Sequence, residues 1–278
     1  MTDSSSNGIA PPAARSSTGS AWPSAFDEFA GARVLVIGAS SGIGAAVALA
    51  FAECGAQVCL HYNRHASQAL AIAADLRARG IDAAAVGGDL SKPGAARLTV
   101  DSAAAALGGL DLLVNVAGAP LGRANLDTLD EATSATILQL NLHAVIEAAR
   151  AALPFLRQGR HPAIINTSSI AARSGGGRGV GVYAAAKAGV ESFTRALARE
   201  LAVAGIRANC VAPGYIDTPI HETFSTDDDR QGYIDATPMG RPGRPDECVG
   251  AYLFLASHRL ASFVTGQTIA VNGGLAFI

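Results

Sequence analysis

Charge is scarce in this chain. Of its 278 residues only 16% are charged and 5% aromatic, and the formal net charge is −2. Lys and Arg form no run, so the electrostatic footprint of a nucleic-acid binder is missing. The four cysteines, Cys54, Cys59, Cys210 and Cys248, include no C-x-x-C pair and read as reduced, buried thiols of a cytoplasmic protein. The six histidines show no metal-ligand clustering, so no metal site is expected. A charge-free run, Val34 to Ala52, is broken by Gly38, Gly42 and Gly44, which suits a strand, a turn and a buried helix better than a membrane span. The first 25 residues, rich in Ser, Ala and Pro, lack the apolar segment of a secretory signal. Residues 1–27 read as a disordered extension and 28–278 as a single domain.

Apolar residues are plentiful, at 49%. From Ala32 onward, short apolar runs alternate with alanine-rich helical segments. Strands are expected at Arg33–Ile37, Gln57–Tyr62, Ala83–Val86, Leu110–Val114, Ala163–Thr167, Ile206–Val211 and Thr268–Val271. Between them the pattern predicts helices at Ile43–Cys54, Ala66–Arg79, Ala95–Leu107, Asp130–Leu156, Val182–Ala204 and Asp246–Ala256. Strands apolar on both faces and separated by helices imply a mainly parallel seven-stranded sheet between two helical layers, a doubly wound α/β domain. Ligands in such a fold lie at the carboxyl ends of the strands, where the winding reverses. Residues 215–244 show no period and read as a loop with short helices that sets substrate choice.

The chemistry-bearing residues cluster at those strand ends. Gly38-Ala-Ser40-Ser41-Gly42-Ile43-Gly44 joins the first strand to a helix amino terminus. Glycine there allows a tight turn and close backbone approach to a pyrophosphate, which the helix end stabilises. The second strand ends in Tyr62-Asn63-Arg64, where NAD sites usually carry an acid for the ribose hydroxyls. With no acid in place and Arg64 able to pair with a 2′-phosphate, NADP is favoured over NAD; the plainer alternative is that Arg64 caps a solvated turn. Tyr183 and Lys187 stand four residues apart on one helix face. A cation held beside a phenol favours the phenolate, so the tyrosine pKa is expected to fall from its usual value of about 10.

Taken together, these pieces resemble the single-domain branch of the short-chain dehydrogenase/reductase family. The matching motifs are Gly38–Gly44, Gly88-Asp89-Leu90, Asn115-Val-Ala117-Gly118, Asn141, Ser168-Ser169, Tyr183–Lys187, Pro213-Gly214 and Val271-Asn-Gly-Gly274. They occur in the family's order over residues 32–278. The resemblance implies a tetrad of Asn141, Ser169, Tyr183 and Lys187 serving hydride transfer between NADP(H) and a secondary alcohol or carbonyl compound. Tyr183 would exchange the proton, Ser169 would hold the substrate oxygen, and Lys187 would lower the tyrosine pKa and bind the nicotinamide ribose. Asn141 would fix a water that links Lys187 to solvent. Asp89 and Leu90 would contact adenine, Asn115 to Gly118 the adenosine side, and Ile216 and Thr218 the carboxamide and phosphates. Ser168 reads instead as a strand-end hydroxyl bonded to backbone.

The chain departs from the family at Ile37, where threonine is usual, and at Val116, where a second asparagine is usual. Substrates suggested by the resemblance are 3-oxoacyl thioesters, or sugars and other polyols. Arg123, Arg173 and Arg178 lie near the crevice, either to meet an acidic group or as solvated loop residues. His221, Glu222 and Phe224 either line the pocket or face water. A homotetramer is implied, and no membrane or nucleic-acid partner. The alternative from another class is a dinucleotide-sensing protein without turnover, which would be expected to lose the tyrosine or lysine that this chain keeps.

Overall fold

The computed structural model describes residues 26–277, so residues 1–25 of the expected extension lie outside the described part. The last two residues of that extension belong to the domain. Phe26 stacks on Phe29 with ring centroids 5.9 Å apart, and Phe29 meets Phe51 edge-on at 5.0 Å. Burial of these aromatic rings draws the boundary earlier than composition indicated.

Among the described residues, strands β1 (Arg33–Ile37), β2 (Gln57–Tyr62), β3 (Ala83–Gly87), β4 (Leu112–Asn115), β5 (Ala163–Thr167), β6 (Arg207–Pro213) and β7 (Thr268–Val271) form one sheet. Their order is β3-β2-β1-β4-β5-β6-β7, with every neighbouring pair parallel. Winding therefore reverses between β1 and β4, which places the crevice at the ends of those two strands. The helices are α1 (Gly42–Glu53), α2 (Ala66–Ala78), α3 (Ala95–Leu107), α4 (Glu131–Leu138), α5 (Ala144–Leu156), α6 (Ala171–Ser174), α7 (Gly181–Leu201), α8 (Pro219–Phe224), α9 (Asp227–Ala236), α10 (Pro245–Ala256) and α11 (His258–Ala261).

Alternation along β1 feeds two separate cores. Val34 and Val36 join Val47, Phe51 and Tyr252 under α1, α2 and α10. Leu35 and Ile37 join Val100, Ala148 and Leu197 under α3, α5 and α7. Each of these large apolar side chains contributes about 1.5–3 kcal/mol by leaving water. All four cysteines are free and buried.

Three elements differ from expectation in ways that matter. The helix expected over Asp130–Leu156 is interrupted: Asp130 caps α4 by accepting from Thr133 N–H at 2.8 Å, and Gln139–His143 is a π turn between α4 and α5. The fourth strand starts at Leu112, two residues later than expected, although Asp111 already bonds Arg33 and Ala163 through its backbone. The helix expected to end at Ala204 ends at Leu201, followed by a 3₁₀ turn that Gly205 closes with φ of 70°. The 215–244 segment carries α8 and α9, the latter opened by a capping box between Thr226 and Asp229.

Candidate active site

The glycine turn after β1 has no room for side chains. A Cβ on Gly38, whose φ is +89°, would lie 2.7 Å from Ala117 N, and one on Gly44 would lie 2.0 Å from the Gly38 carbonyl. At Gly42 it would meet Thr218 Cγ2 at 3.0 Å. Ser40, Ser41 and Ile43 complete the turn, and Ser41 makes no side-chain capping bond to α1. The first N–H groups of α1 therefore keep their intrinsic lack of partners, and the helix end presents them with the positive pole of its dipole. These residues fit a dinucleotide pyrophosphate.

A residue that the sequence reading passed over holds this turn. His61, in β2 and 2% exposed, accepts from Gly38 N–H through Nδ1 at 3.2 Å and reaches the Gly88 carbonyl through Nε2 at 3.0 Å. Only the Nε2–H tautomer satisfies both contacts. Burial pushes its pKa down, against a smaller upward pull from the Gly88 carbonyl. Its signal in the sequence was a lone polar residue within a strand buried on both faces.

The residues expected at the adenosine end lie at or just after the ends of β2, β3 and β4. Tyr62 lies beside Gly87, where a Cβ would come within 2.9 Å of the tyrosine ring. Asn63 and Arg64 are exposed beyond it. Asp89 accepts from the Ser91 hydroxyl at 2.7 Å and Ser91 N–H at 3.1 Å, with Asn63 Nδ2 at 3.4 Å. The Ser91 bond is the main cause of its lowered pKa, and the charges of Lys92 and Arg64 add to it. Two side chains here are engaged within the protein. Leu90 is 3% exposed and packs into the α3–α5–α7 core, which removes its side chain from the adenine side. Asn115 is also 3% exposed, and its carboxamide donates to Asn166 Oδ1 at 2.8 Å, so its side chain ties β4 to β5.

The residues of the expected tetrad lie after β5 (Ser169), in the π turn (Asn141) and along α7 (Tyr183, Lys187). Ser169 follows β5, its hydroxyl accepting from Ala171 N–H at 3.1 Å and hydrogen-bonding Tyr183. Lys187 is 1% exposed; its ammonium donates to the Thr167 carbonyl at 2.9 Å and lies 5.8 Å from the Tyr183 ring centroid. The expected depression of the tyrosine pKa is overturned. Burial pushes Tyr183 up to about 12, against the Ser169 bond and with a smaller upward push from Tyr233. Burial also pulls Lys187 down to about 8. At neutral pH the phenol holds its proton and is set up as an acid.

The π turn explains how Asn141 reaches this site. It is fully buried, and its Nδ2 donates to the Ile137 carbonyl at 2.9 Å and the Ala119 carbonyl at 2.8 Å. Its Oδ1 accepts from Ala119 N–H at 3.0 Å. Both amide protons are thus committed to protein, and the side chain positions the Gly118–Ala119 turn. A Cβ on Gly118 would lie 2.7 Å from both Asn141 Oδ1 and Lys187 Nζ, so glycine is what lets the turn pass between them.

Ser168 turns away from the crevice. Its hydroxyl donates to Glu191 Oε1 at 3.0 Å and to the Lys187 carbonyl at 3.1 Å, so its partners include a side chain as well as backbone. Glu191, 3% exposed, also receives Arg173 Nε at 2.9 Å. This ion pair, buried on the Glu191 side and exposed on the Arg173 side, clamps α6, which follows Ser169, onto α7. Glu191 stands one turn after Lys187 on the same face, a spacing visible in the sequence but not weighed.

The substrate side lies beyond Tyr183. A cavity of about 230 Å³ is lined there by Leu121, Arg123, Asp130, Ile137, Val180 and Tyr183, among others. Pro213 ends β6, and Gly214 lies so close to Asn272 that a Cβ would come within 2.7 Å of its Cα. Thr218 sits over the glycine turn and donates to the Ile216 carbonyl at 3.2 Å. Ile216 is 4% exposed, its side chain packed in the core. His221 packs against Tyr215 at 4.7 Å and Tyr233 at 6.2 Å between ring centroids, while Glu222 is exposed and Phe224 half-buried. Arg178 donates to Asn125 Oδ1 at 3.2 Å.

Residues 38–276 match the family profile described as enoyl-(acyl carrier protein) reductase. The chain belongs to the short-chain dehydrogenase/reductase family. It is 38% identical to L-rhamnose 1-dehydrogenase (NAD(P)(+)) of Sphingomonas sp. (strain SKA58) over 247 residues, covering 88% of this chain and 96% of the relative. It is 36% identical over 248 residues to the 3-oxoacyl-[acyl-carrier-protein] reductase FabG of Escherichia coli (strain K12), covering 89% and 98%. The crystal structure of a short-chain dehydrogenase from Burkholderia cenocepacia J2315 in complex with NADP superposes with a TM-score of 0.82 at 34% identity, covering 89% and 98%. This family member is an oxidoreductase of CH–OH and C=O groups that uses a nicotinamide dinucleotide. Among the described residues no helix is long and apolar enough to cross a membrane, and no group of three or more His, Cys, Asp or Glu could hold a metal ion.

Proposed function

We propose that this protein is an NADPH-dependent carbonyl reductase in which Tyr183 is the proton donor. The observation that carries this reading is the placement of the buried Lys187 ammonium 5.8 Å from the Tyr183 ring centroid, with Ser169 beside the same tyrosine. When bound, the reduced nicotinamide supplies a hydride to the substrate carbon. Ser169 holds the carbonyl oxygen by a hydrogen bond, and Tyr183 delivers its proton to that oxygen, which gives the alcohol. The phenolate left behind faces the Lys187 charge until solvent returns a proton. The proton that Tyr183 holds at neutral pH suits this direction, since an acid is needed for reduction and a base for oxidation.

Preference for NADPH rests on Tyr62, Asn63 and Arg64, with no acid at the end of β2. A cytoplasmic location accords with the buried, reduced cysteines. A homotetramer accords with the fully exposed Phe263 and Phe277 near the β7 edge, and light scattering at micromolar concentration tests it. Tyr183→Phe tests the chemistry: kcat/KM for a ketone should fall by about 10²–10⁴, the usual contribution of a positioned acid. NADPH binding, followed by its fluorescence, should persist. Equal rates in both proteins would favour the sensing role, and faster turnover with NADH would overturn the reading of Arg64.

A further inference from the structure

Three loops meet at the guanidinium of Arg123. This side chain rises from the β4–α4 loop, just after Leu121 and Gly122 at φ of 56° and 128°. For Leu121 that conformation is uncommon and carries strain. Its Nε donates to the Phe224 carbonyl at 3.3 Å, Nη1 to the Arg178 carbonyl at 3.1 Å, and Nη2 to Tyr233 Oη at 3.1 Å. Asp229 Oδ2 lies 3.4 Å from Nη2. One residue therefore binds the α8–α9 segment and the glycine-rich loop before α7 to the wall of the cavity that Tyr183 opens onto.

The arrangement leaves that cation little capacity for a substrate anion. Its charge faces Asp229 and its donors are directed at protein acceptors. The other charged residue lining the cavity, Asp130, is an acid, bonded to the Thr133 hydroxyl at 2.6 Å. His221 lies behind the wall among Tyr215, Tyr233, Arg123, Arg230 and Asp217, and burial keeps it uncharged at neutral pH. Arg230 is itself paired with Asp227 on its own helix.

We propose that the Arg123–Asp229 pair determines specificity, making the wall electrically closed and selecting carbonyl compounds with no negative charge near the reacting carbon. This rests on the reductase reading of Tyr183 and narrows it to neutral oxo esters, oxo thioesters and uncharged sugar carbonyls over keto acids.

The test compares kcat/KM for ethyl acetoacetate and acetoacetate at saturating NADPH. The ester should be preferred by about tenfold or more, the order of one misplaced charge interaction. Asp229→Asn frees the Arg123 charge and should shift the ester-to-acid ratio toward the acid by about five- to tenfold. Thr226→Ala breaks the same capping box but leaves the ion pair, so its ratio should match that of the unmodified protein. If both variants shift alike, if Asp229→Asn leaves the ratio within about twofold, or if the acid is the better substrate, the proposal is overturned. Turnover of neither compound overturns it as well. Tyr183→Phe run beside them separates the two readings: equal activity there removes the reductase reading, whatever the ratio shows.

Discussion

The two ends of the sheet treat buried charge in opposite ways. At the amino ends, Asp111 Oδ2 accepts from Arg33 N–H at 2.8 Å and Nε at 2.9 Å, and Oδ1 from Arg33 Nη2 at 2.9 Å and Arg160 N–H at 2.6 Å. Burial alone would raise the Asp111 pKa, but the Arg33 hydrogen bonds and charge outweigh it and hold the pKa below the ordinary value. At the carboxyl ends burial wins. Lys187 falls to about 8 and Tyr183 rises to about 12, because Lys187 faces a carbonyl while the nearby Glu191 faces Ser168 and Arg173. One end offsets desolvation and gains rigidity; the other leaves it uncompensated and gains groups poised to exchange protons.

Lys187→Met should separate these roles most sharply. Turnover should fall by about 10²–10⁴, the scale of a lost proton-transfer group. Stability at pH 7 should nevertheless rise, by about 1–3 kcal/mol after the lost Thr167 bond is set against relief of the buried charge. The folded lysine titrates near 8 and the unfolded one near 10.5. The penalty is therefore fully present below pH 8 and fades as pH rises to 10.5, where the unfolded chain binds the extra proton. Melting temperatures of both proteins from pH 7 to 10.5 check this. A variant less stable at pH 7 would mean that the lysine charge is compensated after all.

Asp111→Ala probes the other end. It should lower stability by about 2–4 kcal/mol, below the range for a fully buried pair because Arg33 is 26% exposed. The kcat of the folded fraction should stay unchanged. The stability that Asp111 supplies is present above its ordinary pKa of 3.8 and is lost as pH falls through its depressed folded value. Urea midpoints at pH 7 and pH 3 should therefore differ less in the variant than in the unmodified protein.

Much of this contrast was legible in the sequence, though unevenly. Strand and helix positions followed from apolar runs that leave little alternative to a parallel sheet. The π turn at Gln139–His143 was not legible, because its apolar spacing continues a helical period and only the tertiary pull of Asn141 toward Ala119 reveals it. Spacing placed Tyr183 and Lys187 on one face but could not give the sign of the pKa shift, which depends on what else surrounds them. For Leu90, Asn115 and Ile216 the sequence located the strand ends but not which way each side chain turns. Arg123 and Arg173 were visible as charges, while their partners Asp229 and Glu191 lie in other segments and come close only through the fold.

His61 offers the finest test, since it joins the cofactor side of the crevice to the rigid sheet. Its ring holds the Gly38 N–H, which opens the phosphate turn, and the Gly88 carbonyl, which leads into Asp89. His61→Leu keeps apolar bulk and removes both bonds, leaving a buried donor and acceptor unpaired. The Kd for NADPH should rise about tenfold, while kcat at saturating cofactor changes by less than about twofold. His61→Asn can still accept from Gly38 but is too short to reach Gly88, so its Kd should fall between the two. Fluorescence titration of NADPH gives the Kd without requiring turnover. If all three proteins bind NADPH equally, then the contact of Gly38 with Ala117, too tight for any Cβ, is sufficient to set the turn, and the imidazole belongs with the structural polar groups of the opposite end.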